Sequence, residues 1–486
     1  MKDKPTQFAY VYDRLKGRIL SGQIQAGCRL PSMRKLCSEF QVSIRTIIDV
    51  LGVLKEEGFL TFEPRKPALV CYKDESDTLA VQSVLSRRDE LTEIFRTKTL
   101  LLPPQLAFSM QYCKLEKLPH YEQALKIDRS SKKSSEWQLV FLLLRDILTN
   151  TNPQFGEMYS ALDQQAWINF FLKGQENTPS VASLLNMLQE EDPREVCAAL
   201  ASLFQNFESS ANKNLERLSS QHPGFITQEE PAFEWNVDRK CNYYYMHLVQ
   251  DIIEKIGLGK YPLNEYIPHE HELAKQYDVC IATVRKALSK TARLGFTKTL
   301  NAKGTIAMLP DPNTISVSLR EEPVQKMYTM RYLYTLQFMA FVTRAAARLS
   351  APNFTTEDMR MLSELSSWPE TLPIHGIIRC IEKHLTLQPL KAILNELRRS
   401  AHWGYYFSVY NTTLFNTFTL RKTCQDSIAC LEAGNITGFA NETANCYCIM
   451  LETNRNFISE RFGLEEAQNV RTPDKSLLYI DLPVPL

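Results

Sequence analysis

The sequence predicts a mainly α protein in which two winged helix-turn-helix domains, each of three helices plus a β-hairpin, alternate with two all-helical domains. Three observations predict it. A 30-residue segment rich in turn and cap signals occurs twice, 237 residues apart. The stretches between and after the copies carry apolar residues at the helical spacing of about 3.6. Positive charge gathers in the two copies, although the chain as a whole is almost neutral.

Residues 30–59 read LPSMRKLCSEFQVSIRTIIDVLGVLKEEGF, and residues 267–296 read IPHEHELAKQYDVCIATVRKALSKTARLGF. They align without gaps. The identical pairs include Pro31/Pro268, Leu36/Leu273, Val42/Val279, Ile44/Ile281, Thr46/Thr283, Leu51/Leu288, Gly58/Gly295 and Phe59/Phe296. These are turn, core and cap positions, the places where a fold tolerates little change.

The first copy dictates its elements in order. Tyr10–Leu20 carries apolar residues at 11, 15, 19 and 20, a helical stripe, and Ser21-Gly22 stops it. Ser32 caps a short second helix over Met33–Phe40. Gln41-Val42-Ser43 makes a tight turn, and Ser43 caps a third helix with Ile47, Val50, Leu51 and Leu54 on one face. Gly58 ends that helix. Two β-rich pieces follow, Phe59–Glu63 and Ala68–Tyr72, with a bend at Pro64-Arg65-Lys66-Pro67. Three helices, the second and third joined by a short turn, followed by a hairpin, make a winged helix-turn-helix.

Charge agrees with this partition. Residues 1–72 hold 12 Lys/Arg against 7 Asp/Glu, and residues 238–308 hold 11 against 7, which leaves 33 against 41 in the rest of the chain. Two basic modules on an acidic remainder suit phosphate binding, which dominates affinity for nucleic acid.

The segment LKGRILSGQIQAGCRLPSMRKLCSEFQVSIRTIIDVLGVLKEEGF resembles the DNA-binding domain of GntR-type bacterial transcription regulators. The marks are the ILSG turn, the Gly27-x-x-Leu30-Pro31-Ser32-x-Arg34 segment, the Val42-Ser43 start of the third helix and the Glu57-Gly58 stop. The second copy is similar to the same domain more loosely. The two copies cover about 140 of the 486 residues.

The third helix of such a domain reads base edges with its N-terminal residues, while neighbouring groups hold phosphates. In the first copy the candidates are Ser43, Arg45 and Thr46, with Arg65 and Lys66 at the wing tip; Arg34 joins them by the resemblance. In the second copy they are Thr283, Arg285 and Lys286, with Lys303 and Gly304 in the wing, and His271 where the first copy has Arg34. The family commonly places arginines just after the Ser43 position and four residues later. This chain has Ile44 and Ile48 there, whereas the second copy has Ile281 and keeps Arg285. The first wing has Pro67 where glycine is usual, and the second keeps Gly304.

The remaining segments read as helices. Trp137–Leu148 and Val324–Leu349 show the helical period, and 196–218 and 420–452 read as amphipathic helices. Asn152-Pro153 and Gln388-Pro389 fall at similar places in their halves, so the entire chain reads as a duplication. The resulting domains are 1–76 (first winged helix), 77–236 (helical), 237–310 (second winged helix), 311–475 (helical) and 476–486 (tail).

Residues 330–362 and Leu431–Asn435 resemble parts of the helical FadR/FCD-type domains of GntR relatives, which bind a small effector and dimerise. Arg331, His375 and His384 are the candidate effector-binding residues, since an arginine facing a helical cavity can pair with an anionic effector and the two histidines fall at alternative registers of the family's metal-ligand position. Arg96 opens the corresponding helix of the first half. Many such domains hold a metal, but here the aligned residues are Cys380, His384, Cys424 and Cys446, with no carboxylate as first ligand, so no metal and no cofactor are expected.

Composition excludes other classes. With 44% hydrophobic and 23% charged residues the chain is globular, and its length asks for about three or four domains. Seventeen glycines are too few for extensive phosphate or cofactor loops, which disfavours an aminotransferase-like fusion, and no enzyme is expected. No apolar run is long enough to span a bilayer, and Met1–Pro5 begins no signal core, so a cytoplasmic protein is expected. Twelve cysteines without a CxxC pair are expected to be reduced and buried. The expected partners are a double-stranded DNA operator and an unidentified small effector, with no membrane; pairing of two chains stays open. The competing reading is a protein–protein adaptor whose wings have lost DNA binding.

Overall fold

The computed structural model describes residues 7–20, 24, 26–40, 42–64, 66–72, 78–126, 133–166, 181–189, 192–224, 233, 235, 244–300, 303–311, 322–367, 373–408, 410 and 418–480. They fall into two compact units. One comprises Met1–Leu148, Gly156–Asn242 and Leu482–Leu486; the other comprises Thr149–Phe155 and Tyr243–Asp481.

The first unit opens with α1 (Gln7–Leu20), α2 (Met33–Phe40) and α3 (Ile44–Glu56), then the antiparallel strands β1 (Leu60–Thr61) and β2 (Leu69–Val70). α1 starts three residues before the sequence pattern does, and its stop at Ser21-Gly22 lies outside the described residues. Ser32 Oγ accepts the Lys35 amide at 3.3 Å, and Ser43 Oγ accepts the Thr46 amide at 3.1 Å, so both serines cap as their positions require. Ile47, Val50, Leu51 and Leu54 turn inward from α3 onto Val11, Leu15 and Ile19 of α1 and close a small core with Leu30, Leu36 and Phe59. Gly58 has φ +80°, the left-handed geometry that ends a helix at least cost for glycine.

Next come α4 (Thr78–Leu85), α5 (Arg88–Met110), α6 (Tyr121–Leu125), α7 (Lys133–Thr151), α8 (Pro153–Ala166), α9 (Val181–Leu188) and α10 (Pro193–Gln221). The long helices α5 and α10 pack along one another. The buried Lys98 ammonium reaches Asp163 at 2.8 Å.

The second unit repeats the plan. α11 (Tyr244–Gly257), α12 (Glu270–Tyr277), α13 (Ile281–Arg293), β3 (Thr297–Leu300) and β4 (Gly304–Ala307) form the second winged helix. Every helix boundary in it falls 237 residues after its counterpart in the first. α14 (Pro323–Ser350), α15 (Thr356–Ser367), α16 (Pro373–His384), α17 (Gln388–Ala401), α18 (Gly404–Ser408), α19 (Phe418–Glu432), α20 (Ile436–Phe462) and α21 (Lys475–Leu478) follow. Here too the long pair, α14 and α20, forms the spine. The order of long helix, 3-10 turn, short helix, paired middle helices and closing long helix recurs at nearly the same displacement. A similar succession of helices therefore follows each winged helix.

Residues 149–155 belong to the second unit and have polar partners there. Asn152, fully buried, donates to the Tyr334 carbonyl and to Gln337 Oε1, each at 2.9 Å. Gln154 donates to the Arg331 carbonyl at 3.1 Å and to Thr335 Oγ1 at 2.9 Å. Phe155 meets Phe338 edge to face.

Among the described residues, Cys197, Cys380, Cys424, Cys446 and Cys448 are buried thiols, as expected, but Cys28, Cys71 and Cys280 are exposed. The last three lie in or beside the wings, which are too small to bury every apolar side chain. No described helix is long and apolar enough to cross a membrane.

Candidate nucleic-acid interface

The first winged helix projects the start of its third helix from a turn capped by Ser43, and in the second Cys280 holds the cap position without a side-chain cap bond. In the first wing Arg34, Ser43 and Arg45 are exposed and Thr46 is half-buried. Ser43 and Thr46 are partly occupied by each other, their hydroxyls 2.9 Å apart, so these two chiefly set the start of α3. Arg45 is 82% exposed and pairs with Asp49 at 3.1 Å. A pair this exposed is worth about 0–1 kcal/mol, so the arginine can be exchanged onto a phosphate at little cost.

At the wing, Lys66 pairs with Glu63 at 2.7 Å, and Arg29 holds the other Glu63 oxygen at 2.6 Å and the Pro67 carbonyl at 2.8 Å. Hydrogen bonds from Lys66 and Arg29 hold the Glu63 carboxyl below its ordinary range. Arg65 lies outside the described residues.

The second wing solves the same positions differently. Arg285 Nε reaches Glu270 Oε2 at 2.7 Å, and the Lys286 ammonium stands over the Tyr245 ring, 4.1 Å from its centroid. His271 is exposed at the start of α12, and Thr283 Oγ1 lies 3.1 Å from Cys280 Sγ, where the first wing has Ser43 and Thr46. Lys303 is exposed beside Gly304, whose φ is +124°. A Cβ on Gly304 would meet the Tyr266 ring at 3.1 Å. Tyr266 and Arg29 occupy the same place in the two copies, each bridging to the outer strand of its hairpin. The ring needs glycine beside it; the guanidinium instead bonds a proline carbonyl. The Tyr266 ring accounts for the glycine of the second wing, and nothing in the structure accounts for the proline of the first.

Sequence reasoning missed Glu270 and Tyr245. Glu270 follows Pro268-His269 at the head of α12 and looks like a helix-start carboxylate, which conceals its pairing with Arg285 fifteen residues on.

The candidate effector and metal residues lie in the second unit. His384 Nε2 is 2.7 Å from Asp358 Oδ2, which also accepts from the Thr355 hydroxyl at 2.6 Å; Lys383 reaches Oδ1 at 2.8 Å. Burial pushes the Asp358 carboxyl up, but these hydrogen bonds outweigh it and hold it well below the usual carboxylate range. His375 is exposed on the first turn of α16, and Arg331 is half-buried on α14. Cys424 and Cys446 meet in the core with sulfurs 3.5 Å apart. Burial pushes the Cys446 thiol well up and the Cys380 thiol to about 11. Among the described residues no group of three or more His, Cys, Asp or Glu is placed to hold a metal ion.

Two modules of this geometry define a winged helix-turn-helix protein. Both match the family model "Bacterial regulatory proteins, gntR family", over residues 8–70 and 244–306, and each winged helix is a domain of that family. The chain is 34% identical over 64 residues to the HTH-type transcriptional regulator TreR of Bacillus subtilis (strain 168), covering 13% of this chain and 27% of that protein. It is 35% identical over 68 residues to the arabinose metabolism transcriptional repressor of Geobacillus stearothermophilus, covering 14% and 19%. The chain thus spans about a quarter of one relative's length and about a fifth of the other's. Among solved structures, Streptococcus agalactiae GntR shares 14% identity at a TM-score of 0.21, covering 42% of this chain and 99% of that one. E. coli McbR/YncC shares 15% at 0.22, covering 45% and 98%.

Proposed function

We propose that the chain is a DNA-binding transcription regulator in which two unlike winged helices on one polypeptide read an asymmetric operator. The carrying observation is the pair of gntR-type modules with matching helix boundaries and different residues at the reading positions. Regulators with one winged helix per chain bind near-palindromic sites as dimers, because two identical readers need two identical half-sites. Here Arg45, Ile44 and Ile48 on one side answer to Ala282, Ile281 and Arg285 on the other. Such readers call for unlike half-sites, about one helical turn apart or a small multiple of it.

The helical regions are the proposed seat of a small effector that changes the placement of the two wings, with Arg331, His375 and His384 as its candidate ligands. A ligand acts in this way only through different affinities for the two arrangements. The chain is proposed to act without catalysis and without a metal, in the cytoplasm. Selection of bound duplexes from a random pool by the full chain tests the reading. Unlike half-sites at a fixed spacing, bound with a strong salt dependence, support it. Binding without salt dependence favours the adaptor reading instead.

A further inference from the structure

The first winged helix exposes an apolar face where a DNA reader is ordinarily polar. Ile44 at the first turn of α3 is 55% exposed, Ile48 one turn further is 47% exposed, and Met33 at the head of α2 is 44% exposed. Single exposed hydrophobics are ordinary. Met33 and Ile48 are distinguished by what stands in their places in the other copy, whereas Ile44 aligns with Ile281. Met33 aligns with Glu270 and Ile48 with Arg285, and those two residues form an ion pair at 2.7 Å. The two copies thus differ at both of these positions, an ion pair in the second winged helix and apolar side chains in the first. A difference at one position alone would leave a lone charge; a paired difference keeps the surface self-consistent and changes what it can recognise.

Cations frame the face. Arg34 and Lys35 follow Met33 on α2, Arg45 follows Ile44, and all three are exposed. A partner must therefore be apolar at its centre and anionic at its rim. The major groove offers this combination only where a pyrimidine carries a C5-methyl group between two phosphate strands. Resting on the reading of the chain as a DNA-binding regulator, we infer that the first winged helix recognises pyrimidine C5-methyl groups through Ile44, Ile48 and Met33. The second winged helix reads hydrogen-bonding base edges through Arg285. Branched Ile side chains at the first and second turns of a reading helix can cover methyls on neighbouring base pairs. The flanking arginines fix the register on phosphates.

The test uses the full chain and the duplex it recovers from a random pool. Each thymine is replaced singly by uracil, which deletes the methyl and leaves base pairing intact. Binding should weaken about three- to fivefold at one or more positions within a single half-site, the worth of one buried methyl group. Ile44→Ala or Ile48→Ala should abolish that sensitivity while leaving the other half-site unaffected; both side chains are exposed, so the fold survives. A parallel arm replaces each cytosine by 5-methylcytosine. Gain of affinity there without any uracil effect would keep the inference and make methylated cytosine the source of the methyl. Unchanged affinity in both arms overturns it and leaves this face to a protein partner. Failure to recover any salt-dependent duplex overturns the regulator reading itself, and this inference with it.

Discussion

Arg285 and Glu270 lie on different helices of the second winged helix and join through a 2.7 Å contact between Nε and Oε2. The arginine is 67% exposed, so its remaining guanidinium donors face outward. A guanidinium held by one edge presents the other as a fork, the geometry that suits the O6 and N7 acceptors of guanine. Arg285→Ala should therefore cost about 1–3 kcal/mol on a duplex with guanine at the read position, and much less once that guanine is replaced. Quantitative binding to both duplexes checks this. An equal loss on every sequence would make Arg285 a phosphate contact.

Gly304 should resist substitution. Its φ of +124° is closed to ordinary side chains, and Tyr266 fills the space a Cβ would enter. Gly304→Ala is expected to destabilise the second winged helix by about 1–3 kcal/mol, measured by denaturant unfolding. The same change made together with Tyr266→Ala should cost less than the two apart, because the clash is relieved.

Asn152 is buried with both amide hydrogens used, on the Tyr334 carbonyl and on Gln337. Its Oδ1 accepts the Gln154 amide at 2.9 Å. Asn152→Leu removes these bonds and strands a buried carbonyl, at about 1–3 kcal/mol. Unfolding of the full chain followed by denaturant titration should show the loss; an unchanged midpoint would contradict the burial of Asn152.

Asp358 gives a pH signature. Its folded-state carboxyl titrates below the ordinary value, because Lys383, Thr355 and His384 bond its charged form more than burial opposes it. A depressed carboxylate contributes stability above its unfolded pKa and loses it as pH falls through the folded value. The stability gap between the native chain and Asp358→Asn should therefore be level above about pH 5 and shrink below about pH 4. A gap that grew on acidification would have the wrong sign.

How much was legible in the residues differs between wing and helical region, for physical reasons. Ser43, Gly58 and the stripe of Ile47, Val50, Leu51 and Leu54 act locally, and caps, stops and periodicity are local signals; α3 accordingly has the expected face inward and the expected serine at its start. The pairing of Glu270 with Arg285 and of Lys286 with Tyr245 depends on how three helices pack, which spacing along the chain does not encode. Cys280 is a further example: expected inside as a small apolar residue, it is exposed because it holds the cap position that Ser43 holds in the other copy. The helical halves show the converse. Their residues share little identity, yet α5 and α14, and α10 and α20, hold corresponding places, because packing of long helices tolerates exchange of one apolar side chain for another.

The most direct measurement is selection of duplexes by the full chain from a random pool, followed by footprinting and a count of chains per duplex. The expected result is one chain on two unlike half-sites at fixed spacing, with binding that weakens steeply as salt rises. A perfect palindrome occupied by two chains would contradict two unlike readers acting from one polypeptide.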